Sequence, residues 1–339
     1  MKKIMLGWVI VFPVMALLLS IPDLSHSQTP QIIRYSHGFP EQHFMSEQFA
    51  VWAKNIGERS KGALKMEIYP MGQLYRDNEV CKAVQMGAIE VGQGYHYTIE
   101  TALNPTMRII TLPFLFYSAN DLMKVARSEV RIRLSEIPEK KGVKLLAWMP
   151  WPAQGHGFTL KKPARVPSDL KGLVLRSPDP IYTIAFKQWG IGGSYLPGAE
   201  VYMALQQGTL QGAANYLITM VERKLYEPAP YYISLPLAGQ FTIPIMNKSF
   251  FDKLSPEMQK VIMDTSREME EKSLEATNRA HERALEFAKT SGKIHLYYPT
   301  KSEMDLWSAS KEAIWKEALK GDKESEDLVA KIKSVIAQK

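Results

Sequence analysis

Arg176 is the side chain best placed in this sequence to bind an organic anion. It follows the short apolar segment 172–175 (GLVL), which predicts a β-strand ending at the arginine. A guanidinium stays protonated in proteins, and its fork of N–H donors matches a carboxylate. Tyr95 and Asn215 fall at the ends of two other predicted strands, where open α/β sheets bind ligands. Position alone also allows a surface arginine paired with a nearby acid.

The elements that position these side chains alternate between strands and helices. A strand at 31–36 precedes a helix that carries Met45, Phe49, Trp52 and Ile56 on one face. The first unit continues with a strand at 65–69, a helix at 77–86 and a strand at 89–92. A second unit is predicted to start near 143. It has strands at 143–148, 172–175 and 212–215 and helices at 181–189 and 200–207. This order predicts parallel sheets with right-handed crossovers and a cleft between two units.

One long helix is predicted near the carboxyl end. Ser255 and Pro256 form a strong helix start, with a capping serine followed by proline in the first turn. The next helix breaker is Gly292, so the helix can exceed 30 residues. Such a helix is long for one lobe and is expected to brace both.

The amino terminus is typical of a secretion signal. Lys2 and Lys3 precede a mostly apolar run at 4–21, and the small residues of 25–27 (SHS) favour cleavage between Ser27 and Gln28. The run approaches membrane-spanning length, so an uncleaved anchor is the alternative, although Pro13 interrupts it. A periplasmic location is therefore expected.

Composition and missing motifs exclude several classes of protein. The formal charge of +7 falls to +6 without residues 1–27, which hold two lysines and one aspartate, and the basic residues are dispersed, so no nucleic-acid partner is expected. Cys81 is the only cysteine, which excludes an intramolecular disulfide. No paired-histidine metal motif, nucleophile elbow, Walker loop or dinucleotide fingerprint occurs in the sequence. Neither an enzyme nor a bound cofactor is expected, and no acidic cluster predicts a metal site, although a metal ion that bridges the ligand stays an open alternative.

Six short motifs, in order, are similar to those of one receptor family. They are Tyr69-Pro70 with 72–74 (GQL), 112–116 (LPFLF), 167–172 (PSDLKG) leading to Arg176, 200–208 (EVYMALQQG), 212–215 (GAAN) and 244–248 (PIMNK). The chain resembles the solute-binding receptors of tripartite ATP-independent periplasmic (TRAP) transporters, the DctP-like family. The resemblance covers nearly the whole chain beyond the signal segment.

This resemblance implies a two-lobed α/β periplasmic binding protein of the type II-like kind, with hinge crossovers and one long helix spanning both lobes. We expect lobe I to comprise 28–150 plus about 241–280, and lobe II 151–240 plus about 281–339. The family implies a receptor that binds an organic acid and delivers it to the membrane subunits of a TRAP transporter; the oligomeric state stays open, with a monomer as the default expectation. In such proteins the arginine matching Arg176 clamps the ligand carboxylate, and the asparagine matching Asn215 helps from the facing wall.

Two positions depart from the family pattern and bear on the ligand. His156 stands where many members carry a second arginine, and it could still donate one hydrogen bond to a carboxylate. Gly198 stands where relatives often place a bulky aromatic side chain, which leaves space for an aromatic from elsewhere or for a larger ligand. Together they favour a monocarboxylate, with a bulky or aromatic body as a softer expectation.

The remaining candidate ligand contacts are Trp151, Tyr95, Tyr216, Phe39 and Asp77. Trp151 is expected at a crossover between the lobes, and Tyr216 replaces the proline usual after the family's asparagine. For most of these residues a core position or a solvated loop is an equal alternative. The same fold could also serve an ATP-driven importer or a sensor, whereas a secreted enzyme is much less favoured because no nucleophile–base pair is evident.

Overall fold

The computed structural model describes residues 29–338, and the predicted signal peptide at 1–27 lies outside the described residues. The strands are β1 (Gln31–Ser36), β2 (Leu64–Tyr69), β3 (Val91–Tyr95), β4 (Val143–Leu145), β5 (Met149–Pro150), β6 (His156–Leu160), β7 (Val174–Ser177), β8 (Gly192–Tyr195), β9 (Gly212–Tyr216), β10 (Tyr231–Ser234), β11 (Phe241–Asn247) and β12 (His295–Tyr297).

Helices pack around these strands, joined by short 3₁₀ segments. They are α1 (Phe44–Arg59), α2 (Val80–Gln85), α3 (His96–Ala102), α4 (Ala119–Ala126), α5 (Glu129–Lys140), α6 (Pro180–Gln188), α7 (Val201–Gln207), α8 (Leu217–Glu222), α9 (Lys248–Lys253), α10 (Pro256–Thr290), α11 (Lys301–Ser308), α12 (Lys311–Leu319) and α13 (Lys323–Ala337). The apolar positions predicted on α1, namely Met45, Phe49, Trp52 and Ile56, are all buried. Helical spacing therefore identified the face of α1 that packs on the core.

Two separate sheets form the two lobes. The first has the strand order β2-β1-β3-β11-β4, with β5 beside β11, and the second has the order β12-β10-β6-β9-β7-β8. Each sheet has a parallel core, made by β1, β2 and β3 in the first and by β7, β8 and β9 in the second. This architecture confirms the predicted two-lobed α/β fold.

The prediction of purely parallel sheets is wrong, and so is the start of the second unit near 143. β11 runs antiparallel to β3, β4 and β5, so the segment at 143–150 belongs to the first sheet. The chain returns to this sheet from the second lobe, and β11 therefore runs in the direction opposite to β1, β2 and β3. β6 is likewise antiparallel to both β9 and β10. Sequence periodicity does not report strand direction.

Close strand packing in the second sheet depends on one glycine. Gly157 lies in β6, where a Cβ atom would come within 1.9 Å of the Ile233 carbonyl oxygen on β10. No side chain fits such a gap without moving the strands apart. The glycine thus permits the β6–β10 pairing that leads into the cleft.

Two of the chain segments that pass between the lobes lie side by side. One is the segment between β5 and β6, and the other is the segment between β10 and β11. The Trp151 amide on the first donates to the Gln240 carbonyl on the second at 2.9 Å. Trp151 therefore occupies the predicted crossover position.

Helix α10 is the predicted long helix, with 35 residues. The Ser255 hydroxyl caps it by accepting from the Met258 amide, and it ends just before Gly292, whose φ is +67°. The Trp52 indole of α1 donates to the Thr265 hydroxyl on α10, and α10 also packs on α8 and β12 of the second lobe. Contacts with both lobes confirm that α10 spans them.

The carboxyl-terminal helices divide between the lobes. Helix α12 packs on α6 of the second lobe, whereas α13 packs on α4 and α5 of the first. The exact lobe boundaries stay a prediction, and the α13 contacts count against placing all of 281–339 in lobe II. Among residues 29–338, the helices that are long enough to cross a membrane are not apolar enough to do so.

Candidate functional site

A cavity of about 60 Å³ lies between the lobes and collects the predicted site residues. All eight candidates line it: Phe39, Asp77, Tyr95, Trp151, His156, Arg176, Asn215 and Tyr216. The sequence analysis did not propose several other lining residues, among them Tyr97, Pro178, Thr219, Arg223 and Gln240. The structure thus brings together side chains from both sheets and from both crossovers. We call this space the ligand cavity.

Arg176 enters the ligand cavity from β7 with its guanidinium fixed in place. Its Nε atom donates to the Leu196 carbonyl at 2.9 Å, and its Nη1 atom donates to the Ala214 carbonyl at 3.1 Å. Among residues 29–338 its guanidinium makes no ion pair with a carboxylate, in contrast to the alternative of a paired surface arginine. A preoriented cation that forms no direct ion pair with a protein carboxylate is suited to bind an anion.

Asn215 presents one side of its amide to the cavity. Its Oδ1 atom accepts from the Thr159 amide at 3.3 Å and from the Thr159 hydroxyl at 2.9 Å. These bonds orient the side chain, and its buried Nδ2 atom has no hydrogen-bond partner within residues 29–338. A buried donor without a partner is costly, so a ligand oxygen at this point would stabilise the site.

Arg223 is a second arginine of the cavity, and the sequence analysis missed it. It follows α8, and its guanidinium lies 3.6 Å from the point that a Cβ atom at Gly198 would occupy. The space left by Gly198 is therefore occupied by this guanidinium and not by the aromatic residues considered from the sequence. The only sequence signal was a charged run at 222–224 close after Asn215, which is common on surfaces.

Asp77 adds one carboxylate beside the two arginines. Burial raises its pKa from the usual value, while Arg223 and Arg176 act in the opposite direction. Its Oδ1 atom packs directly against Gly38, where a Cβ atom would lie 2.3 Å away. The candidate site therefore contains two guanidiniums and one carboxyl group.

His156 is neutral in the structure and does not replace the second arginine as a cation. Its pKa is lowered to about 3, first because the ring is buried and then because Arg176 is nearby. Its Nε2 atom lies 2.7 Å from the Tyr182 hydroxyl, so one ring nitrogen is engaged within the protein. Tyr182 is itself buried in α6.

Aromatic rings form most of the remaining wall. Trp151 and Tyr216 lie with their ring centroids 4.9 Å apart, and Phe39 meets Tyr95 edge-on at 6.0 Å. The Tyr216 hydroxyl donates to the Ala238 carbonyl at 3.3 Å, and the Trp151 indole donates to the Thr242 hydroxyl at 2.9 Å. With these polar atoms engaged elsewhere, the two side chains offer mainly ring surface to the cavity.

Contacts across the cleft show that the lobes are closed around the cavity. Arg223 of the second lobe donates from Nη2 to the Gly38 carbonyl of the first lobe at 3.0 Å. Its neighbour Glu222 places Oε2 2.9 Å from His43 Nε2. At the exposed rim, Arg76 and Glu200 form an ion pair at 3.3 Å. A closed cleft with an anion-binding interior is typical of a solute-binding receptor.

Comparisons with known proteins agree with this class. The family model "DctP: Bacterial extracellular solute-binding protein, family 7" matches residues 35–322. A C4-dicarboxylate-binding periplasmic protein, DctP of Rhodobacter capsulatus, is 24% identical over 89% of this chain and 90% of its own length. The 2,3-diketo-L-gulonate-binding protein YiaO of Escherichia coli is 29% identical over 63% of this chain and 65% of its own.

Solved structures give the same result for the fold. A TRAP periplasmic solute-binding protein from Sulfurospirillum deleyianum with bound succinate has a TM-score of 0.82 and 26% identity, covering 90% of this chain and 98% of its own. The pyroglutamic-acid receptor DctP7 of Bordetella pertussis has a TM-score of 0.84 at 18% identity, with coverage of 90% and 99%. This chain therefore belongs to family 7 of the bacterial extracellular solute-binding proteins, the DctP family of TRAP receptors. The predictions of this family and of a receptor rather than an enzyme are confirmed.

Proposed function

We propose that this protein captures an organic acid in the periplasm, binds its carboxylate through Arg176 and Asn215, and delivers it to the membrane subunits of a TRAP transporter. The observation that carries the proposal is the Arg176 guanidinium, which two backbone carbonyls orient and which forms no direct ion pair with a carboxylate among the described residues. The unpartnered Nδ2 atom of Asn215 supplies a second donor to the same cavity. The bound succinate of the Sulfurospirillum relative supports an organic acid as the class of ligand.

The charges in the ligand cavity favour one carboxylate over two. Arg176 and Arg223 contribute two positive charges, and Asp77 offsets one of them when it is ionised, although burial raises its pKa. His156 adds none, because its pKa is lowered to about 3. With Asp77 ionised, a single carboxylate balances the remaining positive charge, whereas a dicarboxylate leaves one negative charge in an aromatic-lined space, where burial of an unpaired charge is costly.

Asp77 and the aromatic wall supply the remaining contacts in this proposal. An ionised carboxylate only accepts hydrogen bonds, so Asp77 would select a ligand hydroxyl or N–H group close to the bound carboxylate. Phe39, Tyr95, Trp151 and Tyr216 would cover the ligand's apolar surface. His156 would contribute a neutral ring nitrogen.

The test is a thermal-shift screen followed by calorimetry. The panel contains mono- and dicarboxylates, sugar acids and aromatic acids, with the corresponding alcohols and amides as uncharged controls. A ligand at a hundred times its dissociation constant stabilises the folded state by roughly 2.7 kcal/mol. Stabilisation by uncharged compounds alone would contradict the anion-binding proposal, and tighter binding of dicarboxylates would contradict the preference for one carboxylate.

Two arginine variants separate the clamp from general electrostatics. Arg176→Ala is expected to lower the affinity for the acid at least tenfold, because a charge-assisted hydrogen bond contributes about 1.5–3 kcal/mol. Arg267→Ala removes an equally charged but exposed side chain on α10 and is expected to bind like wild type. Equal affinities of both variants would show that Arg176 does not hold the ligand.

A further inference from the structure

A second space between the lobes adjoins the ligand cavity. It has a volume of about 530 Å³ and is lined by Asn78, Tyr97, Thr98, Thr101, Pro178, Asp179, Pro180, Thr183, Ile184 and Tyr195. We call it the side cavity. Tyr97 and Pro178 line both spaces, so the two cavities share a wall. Tyr97 also stacks on Tyr95 of the ligand cavity, with ring centroids 4.8 Å apart and planes 8° apart.

The side cavity exposes mostly apolar surface, and three of its polar side chains are bonded to the protein. The Thr98 hydroxyl donates to the Tyr95 carbonyl at 3.0 Å, and the Thr101 hydroxyl donates to the Tyr97 carbonyl at 3.2 Å. Asp179 Oδ1 accepts from the Ile181 amide at 2.8 Å, where it caps α6. Rings and aliphatic groups of the remaining residues therefore dominate what a bound molecule would meet.

The sizes of the two cavities decide what can occupy them. About 60 Å³ next to Arg176 is sufficient for a carboxylate and a few further atoms, whereas the side cavity, which is open to solvent at Asn78, Pro180 and Tyr195, offers about 530 Å³. A ligand whose carboxylate sits on Arg176 must extend past the ligand cavity if it carries more than a short body. The stacked Tyr95 and Tyr97 rings provide a continuous apolar wall in that direction.

We propose that the side cavity holds the apolar body of the ligand, so that the receptor takes monocarboxylic acids with an extended aliphatic or aromatic body. This inference rests on the proposed carboxylate-binding function. Thr98 and Tyr97 come from the first lobe, and Pro180 and Ile184 come from the second. A ligand body lying between them contacts both lobes only when the cleft is closed, and this differential contact favours the closed state.

The first experiment measures affinity by calorimetry for acetate, butyrate, hexanoate, octanoate and 3-phenylpropionate. Burial of a methylene group strengthens binding by roughly fourfold. We expect affinity to increase along the straight-chain series and to be high for 3-phenylpropionate. Equal or decreasing affinity with chain length in the wild-type protein would overturn the proposal.

Variants on α6 locate the effect. Thr183→Trp fills the side cavity from the second lobe, and Lys187→Trp adds the same ring one turn further along, at an exposed position that does not line it. We expect Thr183→Trp to abolish the increase in affinity from butyrate to octanoate without lowering the affinity for acetate. Lys187→Trp should bind these acids like wild type. Unchanged octanoate affinity in Thr183→Trp would overturn the assignment of this cavity.

A second variant removes surface instead of adding it. Tyr195→Ala truncates a side chain that is 49% exposed, so it should leave the fold intact. We expect this variant to lower the affinity for octanoate and 3-phenylpropionate several-fold and to leave the affinity for acetate unchanged. If Arg176→Ala also loses binding of every acid, these results together support both the carboxylate-binding proposal and the side-cavity proposal. Binding of no acid at all by the wild-type protein contradicts the proposed function itself, whereas tight binding of short acids alone contradicts only the side-cavity proposal.

Discussion

Arg223 offers a sharp test of how the closed cleft is held. Its Nη2 atom donates to the Gly38 carbonyl across the lobes at 3.0 Å, and its guanidinium occupies the space beside Gly198. Hydrogen bonds made by a charged group contribute about 1.5–3 kcal/mol. Because this bond joins the lobes, its loss should weaken the closed state and with it the ligand affinity, by roughly 10- to 150-fold.

The assay compares Arg223→Ala, Arg223→Lys and Lys224→Gln by calorimetry with an acid that binds the wild-type protein. Lys224 is the exposed neighbour of Arg223, so the Lys224→Gln variant should bind the acid like wild type. Arg223→Lys retains the charge but not the fork, so its affinity should lie between those of wild type and Arg223→Ala. Arg223→Ala affinity within twofold of wild type would refute a role for this residue in closure.

Three further outcomes are expected. Stability should fall as pH rises from about 4.5 to about 8, because burial raises the pKa of Glu100 to about 8 and the unfolded chain releases this proton first. Glu100→Gln should reduce that slope of the melting-temperature profile, and Asp179, whose pKa burial raises to about 7, should maintain the rest of it. Binding by His156→Gln should have the wild-type pH dependence between pH 5 and 8, since the pKa of His156 is about 3 and calorimetry would register any titration there. Gly157→Ala should lower the melting temperature markedly in calorimetric scans, because its Cβ would meet the Ile233 carbonyl at 1.9 Å.

Local pattern predicted much of the fold correctly. The apolar face of α1, the start of α10 at Ser255 and its end before Gly292 follow from spacing, capping and breaker residues. Strand direction was predicted less well. β11 enters the first sheet antiparallel, and its partners are set by a chain return of about a hundred residues, which local periodicity does not encode.

The candidate site shows the same division. Its eight predicted residues line one cavity because motif order and strand ends indicate where the chain approaches the cleft. Arg223 escaped prediction because an arginine in a charged run is usually solvated, and its position beside Gly198 depends on how α8 packs across the cleft. The charge of His156 depends similarly on its burial and then on its distance from Arg176, neither of which the sequence contains.

The sequence alone determined the two-lobed α/β class, the family and the presence of an arginine at a strand end, because periodicity, capping and ordered motifs are local properties of the chain. Only the tertiary structure decided that Arg176 is unpaired among the described residues, that a second guanidinium fills the gap at Gly198 and that a larger apolar cavity adjoins the first. These features arise from contacts between residues far apart in sequence. Burial and distance, which govern charge and the space left for a ligand, exist only once those contacts form.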